Sequence, residues 1–330
     1  MKKNLIALAV LAASGVASAQ SSVTAYGVAD VWFGTAKTTV GGVGVRQTVL
    51  DSNGVSTSRF GFKGSEDLGG GLKANFKLEQ GINIDTGAAG ATGVAFNRQS
   101  WVGLSGGFGE VQLGKVWTSY DDIRSSANDT FNANIASSFS VWEGYNDRTN
   151  NGLKYSTPDV GGISGSVTYA LGENKTATRK AGTLLSLGGQ YASGPLFVGV
   201  AYQQEKAPVA GTKLTHTLFN ASYDMKVAKL IGGYNVAKGT SATNSKAKEF
   251  NLGVEVPLSA SLSLGAGYAN SKLEVGNVDV RKDTGFSAAA LYSLSKRTTL
   301  YAALLNVKTD FKVGADTKST LYGLGVNHKF

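Results

Sequence analysis

The sequence predicts an all-β fold: a sixteen-stranded antiparallel transmembrane β-barrel. Three observations predict it. Apolar and polar residues alternate from end to end, the connections between the alternating segments are long and short in turn, and the chain stops in mid-alternation on Phe330. The mean hydropathy of −0.06 fits such a barrel, because each strand alternates lipid-facing and lumen-facing residues.

Alternation with a period of two residues is the dominant signal. In segment 249–256, Phe, Leu, Val and Val alternate with Glu, Asn, Gly and Glu, and segments 163–169, 185–191 and 261–268 follow the same rule. Successive side chains of a strand point to opposite faces, so each segment has one apolar and one polar face.

The connections are the more specific signal, because seven short turns alternate with eight longer polar loops. The loops lie near 35–55, 85–96, 118–150, 172–182, 204–213, 238–245, 274–282 and 309–318. Bacterial outer-membrane barrels have an even number of strands, short turns at one end and long loops at the other. A soluble sandwich or propeller would explain the alternation but not this rhythm.

The first nineteen residues have the three parts of a signal peptide. Lys2 and Lys3 precede the apolar run 5–13, and Ala17-Ser18-Ala19 forms a cleavage site of the A-x-A type. The run is shorter than the roughly 20 residues of a helical membrane span. We therefore expect a signal peptide at 1–19 and one exported barrel domain at 20–330, integral to the outer membrane.

Composition narrows the function classes. The chain has no Cys, so the fold needs no disulfide. Its formal net charge of +9 becomes +7 once Lys2 and Lys3 leave with the signal peptide, with 30 basic against 23 acidic residues. The charges are scattered rather than clustered, which argues against nucleic-acid binding, whereas a basic balance suits small anions.

Several stretches resemble the trimeric general porins of Gram-negative bacteria, in the form common among β-proteobacteria. They are residues 21–30 (SSVTAYGVAD), 58–71 (SRFGFKGSEDLGGG), 97–114 (NRQSWVGLSGGFGEVQLG), 151–174 and the terminal Phe330. The resemblance covers essentially the whole mature chain and implies a homotrimer of sixteen-stranded barrels. It also implies that the third loop folds inward as a constriction of the lumen.

The resemblance implies partners as well. Phe330 would belong to the signal in the C-terminal strand that the outer-membrane assembly machinery reads. The barrel would contact outer-membrane lipid and lipopolysaccharide, and it would admit small anions and hydrophilic solutes.

Alternation identifies candidate lumen-facing charges. Phe60 and Phe62 are predicted to face lipid, which turns Arg59 and Lys63 towards the lumen. By the same reasoning Trp101 is predicted to face outward.

If Trp101 faces outward, alternation places Arg98 on the lumen side. Leu153 and Tyr155 are predicted to face outward, so Lys154 faces the lumen. Arg148 faces the lumen as well if the strand extends backwards.

Three of these residues match the family pattern. In general porins three arginines stack on the barrel wall at the constriction, and Arg59, Arg98 and Arg148 stand at the matching places. Arginine suits this role because its guanidinium stays charged and neighbours can hold its planar fork. For Lys63, Lys73, Lys77 and Lys154 the alternative of a solvated lumen charge is the preferred interpretation.

The resemblance also implies loop acids opposite the arginines. The third loop, about 118–150, carries Asp121, Asp122, Asp129, Glu143 and Asp147. Asp121 and Asp122 are the first choices for the constriction and Asp129 is the next. The P-E-F-G-G-D stretch of enterobacterial porins is absent, so the identity of the facing acids stays open.

The sequence therefore predicts a general-diffusion porin with moderate anion preference, because charged side chains along a pore set its selectivity. A substrate-specific channel and a surface adhesin built on the same barrel are the alternatives.

We expect no enzymatic activity, cofactor or metal. With only His216 and His328 and no Cys, the chain has neither a zinc site of the His/Cys type nor an evident hydrolase base. Segment 109–115 fits G-x-x-x-x-G-K, but Val116 replaces the Ser or Thr of a phosphate loop, and Lys115 is predicted to point outward.

Overall fold

The computed structural model describes residues 22–127, 131, 133–208, 211–241 and 243–330. The predicted signal peptide 1–19 and Asp129 lie outside these residues. Among the helices that are described, none is long and apolar enough to cross a bilayer.

Seventeen antiparallel strand segments form one sheet. They are β1 Ser22–Val40, β2 Val43–Ser52, β3 Arg59–Gly69, β4 Leu72–Gly81, β5 Gln99–Gly106, β6 Gly109–Trp117, β7 Arg148–Ser156, β8 Ile163–Leu171, β9 Thr183–Ser193, β10 Leu196–Lys206, β11 Lys213–Asp224, β12 Lys229–Thr240, β13 Ser245–Pro257, β14 Leu262–Val275, β15 Val278–Ser293, β16 Thr298–Phe311 and β17 Thr317–Lys329. Between β6 and β7 lie helix α1 (Ser119–Ser126) and a 3-10 turn (Ser138–Val141).

The seventeen segments fill sixteen positions of a closed barrel. β1 pairs with β3 over Ser22–Val28 and with β2 over Val31–Val40, so β2 and β3 share one position. The last strand, β17, pairs with β1 and closes the ring. The predicted sixteen-stranded barrel is confirmed, and its closure leaves no strand edge unpaired in lipid.

The first long loop differs from its prediction. Residues 35–55 were expected to form a polar loop, but β1 continues to Val40 and the chain returns as β2 after the turn at Gly41 and Gly42. Both glycines have positive φ, 56° and 87°, which a two-residue hairpin turn of the primed type requires. The Val and Thr residues of this segment favour strands and extend the hairpin.

The two faces of the barrel wall have opposite chemistry. On β13, Phe250 and Leu252 are exposed, whereas Glu249 and Asn251, which alternate with them, are buried. Asn235 and Gln203 on other strands are also buried. A soluble protein buries its apolar side chains, so this inverted arrangement indicates an outer face in lipid and a polar inner face.

The barrel closes where the two chain ends meet. The amide of Gly27 donates to the carbonyl oxygen of Phe330 at 3.0 Å, and the amide of Phe330 donates back to Gly27 at 3.1 Å. The Phe330 ring covers Gly27 so closely that an added Cβ would lie 2.2 Å from Cζ of the ring and 2.8 Å from the carbonyl oxygen of Arg59. Glycine at 27 therefore lets the terminal residue complete the seam.

We predict that Gly27→Ala lowers the yield of folded barrel. The new methyl group must displace both the Phe330 ring and the backbone of β3, and the seam then loses its terminal hydrogen bonds. The measurement is the folded fraction after refolding, read from the heat-modifiable mobility of the barrel on a gel. Gly107→Ala, where an added Cβ meets nothing within 4 Å, is the matched control; equal yields for the two variants would contradict the prediction.

Candidate functional site

The three predicted arginines lie together in the structure. Arg59 begins β3, Arg98 immediately precedes β5, and Arg148 begins β7. They line one cavity of about 600 Å³, which we call the arginine cavity. Its other lining residues are Ser56, Thr57, Trp117, Asp121, Asp122, Arg124, Ser125, Asn134, Ser137, Phe139, Ser140, Tyr145 and Asp147.

A single buried carboxylate lies behind two of the arginines. Glu79 of β4 accepts a hydrogen bond from Arg98 Nε at 2.8 Å, and its other oxygen lies 3.7 Å from Arg59 Nε and 3.6 Å from Lys77 Nζ. The Tyr26 hydroxyl donates to the same carboxylate at 2.8 Å. Glu79 is only 3% exposed, so it is a fixed counter-charge that holds the guanidinium groups near each other.

Glu79 was missed in the sequence. Alternation could have identified it: Glu79 is an acidic residue two positions from Lys77, so both lie on the lumen-facing side of the same strand.

The third arginine is held by an aromatic ring. The guanidinium carbon of Arg148 lies 3.5 Å from the centroid of the Trp117 ring, and that of Arg98 lies 5.8 Å from it. Arg148 also donates to Asp147 at 2.8 Å. Stacking on an aromatic face orients the planar guanidinium without removing its charge.

A β-bulge places this ring. The register of β6 against β7 shifts between Gly114 and Val116, and Gly114 has a φ of 135°. In a regular strand Trp117 would lie on the same face as Leu113, four residues before it, and Leu113 is exposed on the outer face. The bulge reverses the alternation, so Trp117 lines the arginine cavity instead.

Lys115, predicted to point outward, lies at this bulge and pairs with Ser100 of β5, on the same parity as the outward pair Val102 and Leu113. Lys115 Nζ donates to Asn150 Oδ1 at 2.7 Å. Together with Arg148, Lys115 lines a second cavity of about 860 Å³.

Trp101 was predicted on the wrong face. Trp101 lies opposite Lys77 on the neighbouring strand β4, and Gln99 lies opposite the buried Glu79. Trp101 Nε1 donates a hydrogen bond to Gln99 Oε1 at 3.2 Å. Trp101 therefore shares the inner face of β5, and the exposed Val102 lies on the lipid side. Arg98 still contacts Glu79, because it precedes the regular part of the strand.

The segment between β6 and β7 contacts polar side chains of distant strands. Thr118 caps α1 by accepting a hydrogen bond from the amide of Asp121. The Tyr120 hydroxyl donates to Asn235 Oδ1 of β12 at 3.0 Å, and Asn220 Nδ2 of β11 donates to the carbonyl oxygen of Ile123 at 2.7 Å.

Two wall glycines make room for this segment. An added Cβ at Gly188 would lie 2.6 Å from the carbonyl oxygen of Ser119, and one at Gly285 would lie 2.1 Å from that of Ser138.

The acids of this segment have separate partners. Asp122 lies 2.5 Å from Lys154 Nζ, and Asp121 accepts a hydrogen bond from the Tyr145 hydroxyl. Burial raises the pKa of Asp121 to about 7. Both line the arginine cavity, as does Asp147, which was not among the chosen acids. Glu143 instead pairs with Arg281.

The comparisons with known proteins decide the family. Residues 6–312 match the model of a family described as Gram-negative porin. The chain belongs to the Gram-negative porin family.

Relatives and solved structures agree with this assignment. The porin is 37% identical to outer membrane porin protein 32 of Delftia acidovorans, over 98% of this chain and 95% of that protein. It is 32% identical to major outer membrane protein P.IB of Neisseria meningitidis over the full length of both. The anion-selective porin from Comamonas acidovorans superimposes with a TM-score of 0.80 at 30% identity, covering 94% of this chain and all of that one.

The predicted family and location are therefore confirmed: the chain is a porin of the outer membrane. Its apolar outer face and closed sheet suit that membrane, and Arg59, Arg98 and Arg148 line one cavity.

We predict that Glu79→Gln destabilises the porin by about 3–5 kcal/mol, the usual cost of removing one partner of a buried ion pair. The change keeps the shape of the side chain but leaves Arg59 and Arg98 facing each other without their shared carboxylate. The measurement is the free energy of unfolding in urea. Glu110→Gln is the control, because Glu110 accepts hydrogen bonds from the neutral side chains of Asn75 and Gln112 and forms no ion pair among the described residues; similar stabilities for the two variants would contradict the role given to Glu79.

Proposed function

We propose that this porin is a general-diffusion channel with moderate anion preference and that the arginine cavity is its constriction. The observation that carries the proposal is the convergence of Arg59, Arg98 and Arg148 on one cavity. Ions and small hydrophilic solutes would pass through it without a catalysed step. Fixed charges in a narrow, low-dielectric passage raise the local concentration of ions of opposite sign.

The proposal requires that the segment from Thr118 to Asp147 folds into the lumen and narrows it. Support comes from its hydrogen bonds to Asn235, Asn220 and Thr168, which are buried on the polar side of the wall. The close approach of its backbone to Gly188 and Gly285 supports the same placement.

The charges of the cavity favour anions over cations. The loop acids are engaged by Lys154, Tyr145 and Arg148, and Asp121 is only partly ionised near neutral pH. The anion-selective porin from Comamonas acidovorans has the same fold at 30% identity, which supports the same preference in this chain.

The proposal extends to export and assembly. Residues 1–19 would be removed as a signal peptide, and Phe330 would belong to the signal that the assembly machinery reads. The barrel would form a homotrimer surrounded by outer-membrane lipid and lipopolysaccharide. One solved structure with this fold, OmpT of Vibrio cholerae, is described as a trimer form and has a TM-score of 0.69 at 17% identity.

The proposal assigns no enzymatic activity. His216, the one histidine near the loop, is buried beside Tyr120 and Tyr145. His328 lies near the chain end, where its Nδ1 is 2.9 Å from the Thr298 hydroxyl. Neither has the setting of a catalytic base that activates a nucleophile for a solute.

We predict that the purified porin in a planar bilayer gives an anion-selective reversal potential in a KCl gradient, and that Arg98→Gln shifts this potential towards cations. Arg98 is 11% exposed in its side chain and contributes one fixed positive charge to the cavity. Arg297→Gln, on a distant short turn, is the charge-matched control and should leave the potential unchanged.

Three results would overturn the proposed function. A cation-selective wild type contradicts the preference, conductance that one solute saturates and blocks indicates a specific channel, and a barrel without conductance indicates an adhesin.

We also predict that anion preference rises as the pH falls from about 8 to about 6. Burial raises the pKa of Asp121 to about 7, so its carboxylate takes up a proton in this interval and a negative charge leaves the arginine cavity. The reversal potential against pH is the measurement. Asp121→Asn should remove the pH dependence, and a preference that falls on acidification would contradict the assignment.

A further inference from the structure

The loop side of the arginine cavity carries a cation of its own. Arg124 lies in the last turn of α1, and its side chain lines the cavity together with Asp121 and Asp122 of the same helix. The other three arginines belong to the barrel wall, at the ends of β3, β5 and β7. The loop on which the resemblance places acids therefore also brings a fourth guanidinium.

Three aromatic rings surround this guanidinium. Its central carbon lies 4.5 Å from the ring centroid of Tyr145, 4.6 Å from that of Phe139 and 5.5 Å from that of Trp142. Each distance is within the range in which a cation is attracted to the face of an aromatic ring. The rings come from the 3-10 turn and the residues that follow it, so the fold of the loop fixes the position of Arg124.

Arg124 is stabilised by aromatic groups, the Tyr145 hydroxyl and the nearby charge of Asp121, without a direct ion pair to any described residue. Within the described part of the chain, Arg124 forms no ion pair with a carboxylate, whereas its neighbours on the loop each have a partner. Asp122 is paired with Lys154, Asp147 with Arg148, and Asp121 accepts from Tyr145. An aromatic ring attracts a cation through its quadrupole and has no net charge to cancel the field of that cation.

We propose that Arg124 is a fourth selectivity-determining residue of this porin and acts on permeating anions from the loop side of the arginine cavity. An anion that enters the cavity meets guanidinium groups on the loop as well as on the wall. The loop then weakens, rather than completes, an electric field directed across the pore from wall to loop. This inference rests on the proposed function of the cavity as the constriction.

The test compares Arg124→Gln with Arg124→Lys in the purified full-length porin, by reversal potential in a KCl gradient. Gln keeps most of the length of the side chain and removes the charge, whereas Lys keeps the charge and loses the planar fork. We expect Gln to reduce the ratio of chloride to potassium permeability about two- to fivefold, as the loss of one unit charge from the lining of a water-filled cavity would. We expect Lys to retain most of the wild-type ratio.

The pair of variants separates charge from loop geometry. If Arg124 acts only by packing the loop, the Lys variant loses selectivity as much as the Gln variant, and the inference fails. An unchanged ratio in the Gln variant overturns it as well. Single-channel conductance gives a second readout, because a displaced loop alters the conductance of both variants by a similar amount.

The wild type and one control keep this test distinct from that of the proposed function. A wild type without anion preference contradicts the proposed function itself. A wild type with anion preference and an unchanged Arg124→Gln variant contradicts only the role of Arg124. Arg297→Gln removes the same charge on a distant exposed turn and should match the wild type.

Discussion

Arginines that repel each other must be held in one cavity, and the rest of the site depends on how this repulsion is balanced. Two unit charges of like sign at about 4 Å repel by roughly 4 kcal/mol near a protein surface. Glu79 balances this repulsion for Arg59 and Arg98 from behind, while Trp117 and Asp147 hold Arg148. The counter-charge of Arg59 and Arg98 is the buried Glu79, which lies behind them. One side of each guanidinium group therefore still faces the cavity.

The barrel supplies the rigid frame for this arrangement. In its closed ladder β3, β5 and β7 run in the same direction, with β4 and β6 between them, so their first residues lie at the same end of the wall. The bulge at Gly114 turns Trp117 towards Arg98 and Arg148. The loop after β6 is fastened by hydrogen bonds to buried polar side chains of β8, β11 and β12. Side chains that would be costly in an apolar core are stable here, because the inner face is polar and they satisfy one another.

The barrel could be predicted from the sequence because alternation and loop rhythm are local and repeat many times. The cluster of Arg59, Arg98 and Arg148 was indicated by alternation together with a family resemblance. The face of Trp101 was wrong, since a lumen-facing Trp is stable once its Nε1 finds an acceptor. Glu79, Asp147 and Arg124 were not chosen, because their roles depend on contacts between strands and loop that no spacing in the sequence encodes.

The central claim is that fixed charge in the arginine cavity, and not a fitted binding pocket, selects anions. The most direct measurement is the ratio of chloride to potassium permeability of the wild type as salt rises from about 0.1 M to about 1 M, which shortens the screening length from about 10 Å to about 3 Å. The account predicts a steady fall of this ratio towards one. A ratio that stays high and constant over that range would contradict it.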